Sequence, residues 1–202
     1  MARPPRNAPP GAIHHVVNRG NRRAVIFHKP GDYQAFVDVL REACAKFDMR
    51  LIAFCVMPNH WHLVLWPGEG VSLSAFMQWL TSTHVRRYHA HYELVGTGHL
   101  YQARYRNRIC QSERRLLATV RYVEANALAA KLVDRARDWT WGSLRMRVNG
   151  GEEDFLTPCP IELPQNWADY VDATTARQEP TRTDDCASDC TSADSSSEVF
   201  EG

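Results

Sequence analysis

The sequence predicts an α/β (α+β) domain: a ferredoxin-like βαββαβ antiparallel sheet with an added C-terminal helix. Short apolar runs of strand length alternate with longer segments whose apolar residues recur every three and four positions. Two of the strand runs are joined through a Pro-Asn pair, which makes a tight hairpin and sets them antiparallel. A further amphipathic segment follows the fourth strand and supplies the extra helix.

Along the chain, the β-branched run that starts at Ile13 reads as a strand leading through Asn18-Arg19 into the basic turn Gly20-Asn21-Arg22-Arg23. From about Gly31 to Phe47, the residues Phe36, Val37, Leu40, Ala43, Cys44 and Phe47 form the stripe of an amphipathic helix, with Asp32 as its cap. Arg50 to Met57 and His62 to Trp66 are the hairpin strands, joined through Pro58-Asn59, with the histidines at the start of the second. Ser72 opens a second helix that runs to about His91. Leu100 to Cys110 reads as the fourth strand, with Arg104, Arg106 and Arg108 on one face. Ser112-Glu113 begin the third helix, expected to reach about Val133. Trp139 and Trp141 are expected to pack back on the body. The domain limits that follow are a flexible arm over 1–12, a catalytic body over 13–148, a partly packed extension over 149–175 and an acidic disordered tail over 176–202.

The formal charge of +1 conceals a division. Up to Val148 the chain carries 22 Lys and Arg against 10 Asp and Glu; beyond it the count is 2 against 13. A body with a net +12 calls for a polyanion. Lysine occurs only at 29, 46 and 131, so the positive charge is nearly all guanidinium, which suits bidentate phosphate contacts. No run of 18 apolar residues occurs and the first residues hold no apolar segment of signal length, so a soluble cytoplasmic protein with no membrane partner is the expectation. The six cysteines form no C-x-x-C pair and read as reduced and structural, with Cys186 and Cys190, four apart in the tail, the alternative pair for a metal or a disulfide.

His60-Trp61-His62 sits inside an apolar strand pair, and residues i and i+2 of a strand face the same way. Two imidazoles in step form half of a divalent-cation site. Tyr122 and Asn126, four apart on the third helix, share a face one turn apart. Together they point to metal-assisted cleavage of a phosphodiester by tyrosine. A tyrosine on an amphipathic helix is also an ordinary half-buried core residue, and strand histidines are often satisfied by hydrogen bonds alone.

Four ordered blocks then carry a resemblance: Asn18-Arg19-Gly20-Asn21, Met57 through Leu65, Gly98 through Tyr105, and Arg121 through Asn126. The chain resembles the REP-associated tyrosine transposases, a branch of the single-tyrosine HUH (insertion-sequence-type) transposases. The resemblance implies a single-stranded DNA endonuclease and strand transferase acting on hairpin DNA through a 5′-phosphotyrosine. It implies Tyr122 as nucleophile, His60, His62 and Asn126 as ligands of Mg²⁺ or Mn²⁺, and no nucleotide cofactor. Arg19, Arg22, Arg23, Arg104, Arg106 and Arg108 become the expected DNA ligands, with Tyr101, Tyr105 and Trp66 available for base stacking. A monomer is favoured over a homodimer. The family usually follows the asparagine with proline and a basic residue, whereas here Ala127-Leu128-Ala129-Ala130 follows. Two rivals share the residues: a non-cleaving DNA- or RNA-binding module of the same fold, and a small metal-dependent hydrolase that uses a bound water.

Overall fold

Strands and helices alternate in the predicted order in a computed structural model that describes residues 11–96, 98–150 and 155–173. β1 (Ile13–Arg19), α1 (Pro30–Phe47), β2 (Met49–Met57), β3 (His60–Pro67), α2 (Leu73–His91), β4 (Arg106–Cys110) and α3 (Glu113–Ala129) make the body. α4 (Ser143–Asn149) and α5 (Trp167–Asp172) follow. The four strands form one antiparallel sheet in the order β2-β3-β1-β4, the ferredoxin-like arrangement expected. The N-terminal arm up to residue 10, Cys186, Cys190 and the acidic tail lie outside the described residues. Among those residues no helix is long and apolar enough to cross a membrane.

The sheet separates two cores. On one face Val16, Phe54, Trp61, Leu63 and Leu65 meet Phe36 and Leu40 of α1 and Phe76 and Leu80 of α2. On the other, Ile52, Ala53, Cys55 and Val64 meet Leu116, Val120 and Val123 of α3, closed by Leu144, Trp167 and Val171 of the two last helices. A bulge between Leu51 and Ala53 turns two successive residues, Ile52 and Ala53, to the α3 side, a break in alternation that deepens the seat for that helix.

Local chemistry sets the helix ends. The Asp32 carboxylate reaches back to accept the amides of His28 (2.8 Å) and Lys29 (3.1 Å), while Ser72 and Ser112 accept Ala75 N–H and Arg115 N–H, each at 3.2 Å. α3 stops at Ala129 rather than near Val133 because Lys131 turns left-handed (φ 58°). Lys131 N–H and Leu132 N–H then fold back to the carbonyls of Leu128 and Ala127, a Schellman end. The fourth strand is also shorter than expected. Residues 106–110 pair with β1, Tyr101 bridges Gly20, and between these pairings four residues, 102–105, oppose only Asn18 and Arg19, so the chain must leave the sheet there. Arg104 lies in that excursion and not on the strand.

Glu124 is a buried polar residue with three side-chain donors around it. Its carboxylate, 3% exposed, accepts Ser143 Oγ–H (2.6 Å) and Arg147 Nε–H (2.8 Å) on one oxygen and Trp167 Nε1–H (2.6 Å) on the other. Ser143 Oγ in turn accepts the Phe54 amide at 3.1 Å, and Arg147 donates to the Ile52 carbonyl at the bulge. One buried charge thereby ties α3, α4, α5 and β2. On the opposite core, Tyr101 Oη accepts Trp61 Nε1–H (3.0 Å) and sits 2.6 Å from His84 Nδ1. The outer edge of β2 is covered by the chain itself: Trp141 O accepts Val56 N–H, Leu51 O accepts Thr157 N–H (each 2.8 Å), and Trp139 Nε1–H donates to Val56 O at 3.0 Å.

Glu124→Ala leaves Ser143, Trp167 and the Arg147 guanidinium without their acceptor, and the expected loss is about 3–5 kcal/mol of unfolding free energy, read from denaturant midpoints. His84 gives a second expectation. Burial pushes its imidazole down to about 3 from 6.5. The unfolded chain takes up that proton near pH 6.5 while the native one stays neutral, so this contribution is complete above pH 6.5 and is lost as pH falls toward 3. The loss is about 1.4 kcal/mol per pH unit inside that window. His84→Gln should flatten the fall of stability between pH 6 and roughly pH 4, measured by urea denaturation at each pH.

Candidate active site

Strand parity builds the site. Ile13, Val64 and Cys110 belong to the core on the α3 side, so the residues in step with them, His15, Val17 and Arg19 on β1, His60 and His62 on β3, Arg106 and Arg108 on β4, share that face. The register sets Val17 opposite His62 and His15 opposite Val64, which makes His15 and His62 diagonal neighbours. α3 crosses the same face and brings Tyr122 to them.

The rings meet closely. His15 and His62 stack with centroids 5.3 Å apart, and His15 Nε2 lies 3.0 Å from His62 Nδ1. Tyr122 stands edge-on to both, 5.9 Å from His15 and 5.5 Å from His62, and His60 is edge-on to His62 at 5.0 Å. A cavity of about 330 Å³ opens over His15, His62 and Tyr122. Among the described residues, Arg19, Arg23, Arg104, Arg106 and Arg108 line it and no carboxylate does, so their field favours an anion. A larger groove of about 990 Å³ adjoins it through Asn18, Gln102, Ala103 and Arg104 and runs along α2 past Tyr105 and Arg86.

Burial first, then neighbouring arginines at His15 and His60 and the other two imidazoles at His62, lower the pKa of these groups. Burial with Arg108 nearby pushes His15 down to about 4, burial with Arg19 nearby pushes His60 to about 4, and His62 lies well below its usual value. A neutral imidazole is the form that ligates a cation. The proton position on His60 follows from its partners. Asn59 Nδ2–H donates to the Arg23 carbonyl (3.0 Å), which turns Asn59 Oδ1 to His60 Nδ1 at 2.6 Å. Oδ1 only accepts, so His60 carries its proton on Nδ1 and a lone pair on Nε2. His62 Nε2 is buried and has no hydrogen-bond partner among the described residues. Asn126 gives its amide N–H to the Tyr122 carbonyl at 2.8 Å, which leaves Oδ1 as its accepting atom. Among the described residues no three His, Cys, Asp or Glu side chains gather into a metal site. The two imidazole nitrogens suit a divalent cation, whereas Asn126 lies one helical turn beyond Tyr122 and lines neither cavity.

The structure thus gathers His60, His62, Tyr122, Arg19, Arg23, Arg104, Arg106 and Arg108. Arg22, left-handed at φ 54° and exposed, is not brought to either cavity. Two of the three aromatic candidates are otherwise engaged. Tyr101 is buried against Trp61 and His84, and Trp66 lies at the far end of β3 under the Arg50 guanidinium, 3.5 Å from its ring centroid. Tyr105 lines the larger groove. His15 was not identified from the sequence, because its partner lies 47 residues away and nothing local encodes the β1–β3 register. The adjacent pair His14-His15 in a strand was the available signal.

None of the curated proteins matches the sequence closely. Among solved structures, a REP-associated tyrosine transposase bound to a REP hairpin superposes with a TM-score of 0.61 at 16% identity, covering 81% of this chain and 95% of that one. A protein of Deinococcus radiodurans, described as a transposase, gives a TM-score of 0.44 at 19% identity over 61% of this chain and 96% of its own. The sequence profile of the IS200-like transposases matches residues 11–126, which takes in both histidines of β3, Tyr122 and Asn126. That span is more than half of the 202 residues, and the chain belongs to the IS200-like transposase family.

Proposed function

We propose that this transposase is of the REP-associated kind, a cytoplasmic single-stranded DNA endonuclease and strand transferase that acts on hairpin DNA with Tyr122 as nucleophile. The observation that carries the reading is the Tyr122 ring set edge-on to His62 at 5.5 Å, in a cavity whose charged lining, among the described residues, is arginine. The solved relative that shares its fold was captured on a REP hairpin, which supports the substrate class.

In this reading the scissile phosphate enters the cavity between Arg106, Arg108 and Arg19, whose guanidiniums neutralise it. The Tyr122 phenol loses its proton and its oxygen attacks phosphorus. The bond from phosphorus to the 3′ oxygen breaks, and that oxygen takes a proton to leave as a hydroxyl. The 5′-phosphate remains on Tyr122, and attack by a 3′-hydroxyl reverses the step, so no nucleotide cofactor is consumed. His60, His62 and Asn126 would hold Mg²⁺ or Mn²⁺, which polarises the phosphate and stabilises charge on its oxygens when bound. The adjoining groove gives the unpaired strand a path past Tyr105. The acting unit is a monomer, with residues 13–148 as the catalytic body.

The test is a denaturing gel of the protein with Mn²⁺ and end-labelled single-stranded hairpins taken from the flanks of its own gene. The wild type is expected to give a covalent protein–DNA adduct that Tyr122→Phe abolishes while retaining DNA binding. Tight binding with no adduct on either labelled strand would replace the nuclease with a non-cleaving module, and cleavage that survives Tyr122→Phe would indicate a water nucleophile. Arg106→Ala combined with Arg108→Ala, both exposed positions, should weaken binding to every single-stranded sequence alike and lower the slope of log affinity against log salt by roughly 1–2, measured by fluorescence anisotropy.

A further inference from the structure

We propose that His15 is a positioning residue whose ring nitrogen fixes the His62 tautomer that presents a bare Nε2 to the cation. The inference rests on the reading of His62 as a cation ligand. His15 and His62 are 8% and 4% exposed, and the contact between Nε2 of the first and Nδ1 of the second, at 3.0 Å, is a hydrogen bond that admits two arrangements. If His15 donates, His62 must carry its other proton on Nε2, a buried N–H with no acceptor among the described residues and no capacity to ligate. If His62 Nδ1–H donates to His15 Nε2, the buried Nε2 of His62 holds a lone pair and waits for a Lewis acid. Only the second arrangement is compatible with a cation.

Ligating histidines ordinarily take this second contact from a carboxylate or a carbonyl. Among the described residues the cavity lining contains neither Asp nor Glu, and a neutral acceptor adds no charge that would oppose the entry of phosphate. His60 receives the same service from Asn59 Oδ1 at 2.6 Å, so both ligands of the His-x-His pair are oriented by uncharged acceptors. His15 differs from Asn59 in also touching the nucleophile's ring, with its centroid 5.9 Å from that of Tyr122, so one side chain spaces the ligand from the tyrosine.

The measurement is Mn²⁺ affinity of the full-length protein without DNA, by titration followed in electron paramagnetic resonance, beside the ¹⁵N imidazole spectrum of His62. His15→Phe keeps the ring and removes the acceptor; it is expected to weaken Mn²⁺ binding 10- to 100-fold and to mix the two His62 tautomers, and His15→Gln, which restores an acceptor, is expected to recover most of both. Phe and Gln variants that bind Mn²⁺ equally, or an unchanged His62 tautomer in His15→Phe, would overturn the role of His15 while leaving His62 as a ligand. Mn²⁺ binding indifferent to His60→Ala and His62→Ala would instead overturn the cation site itself, and this inference with it. Unfolding midpoints of the Phe and Gln variants separate loss of fold from loss of the contact.

Discussion

The carboxylate of Glu124 is the constraint on which the arrangement of the site depends. Burying a charge is costly unless every lone pair is met, and here a hydroxyl, an indole and a guanidinium meet it from two other helices. Such a set is satisfied in one geometry. Residues two before and two after a given helical position lie roughly 200° around the axis from it. Holding Glu124 toward α4 and α5 therefore turns Tyr122 and Asn126 to the opposite flank, where β1 and β4 present their arginines. The aim of Tyr122 is set by a network that does not touch it, and the two C-terminal helices help to hold it.

The sheet divides its labour in the same manner. Between two active-site histidines Trp61 points to the other face, where its indole donates to the buried phenol of Tyr101, itself hydrogen-bonded to His84 of α2. That network fixes where the segment 100–102 lies, and Gln102 N–H and Asn21 N–H then bond across to Arg19 O and Leu100 O. Gly20 lets the chain that follows it fold back tightly: a Cβ there would meet the Ala24 carbonyl oxygen at 2.5 Å and Ile26 Cγ2 at 2.8 Å. Residues on the dry face of the sheet thus decide how Arg104 reaches the wet one.

Much of this was legible in the sequence because it is local. Apolar periods of three and four gave α1, α2 and α3, Pro58-Asn59 gave the hairpin, and the spacings of His60 with His62 and of Tyr122 with Asn126 fall on β3 and α3 as read. What could not be read is what pairing decides. His15 acquires its meaning from lying diagonal to His62 across two strands. Arg104 leaves the sheet because β1 has too few residues to pair with it. Tyr101 and Trp66 look like stacking surfaces until their hydroxyl and ring are seen to be occupied. Glu124, placed in the sequence between two site residues, gives no local sign that it is buried.

The cover over β2 has a consequence of another kind. A sheet edge with free N–H and C=O groups is a template on which further strands can add. In this chain Trp141 and Thr157 take the main-chain bonds that an incoming strand would need, and Cys55 already bridges Gly142. On this side the sheet is closed by its own chain, so a copy cannot be recruited there by strand addition. Shortening the protein to the limits of the family profile, residues 11–126, would remove this seal along with the partners of Glu124, exposing an adhesive edge on a domain whose fold otherwise looks complete.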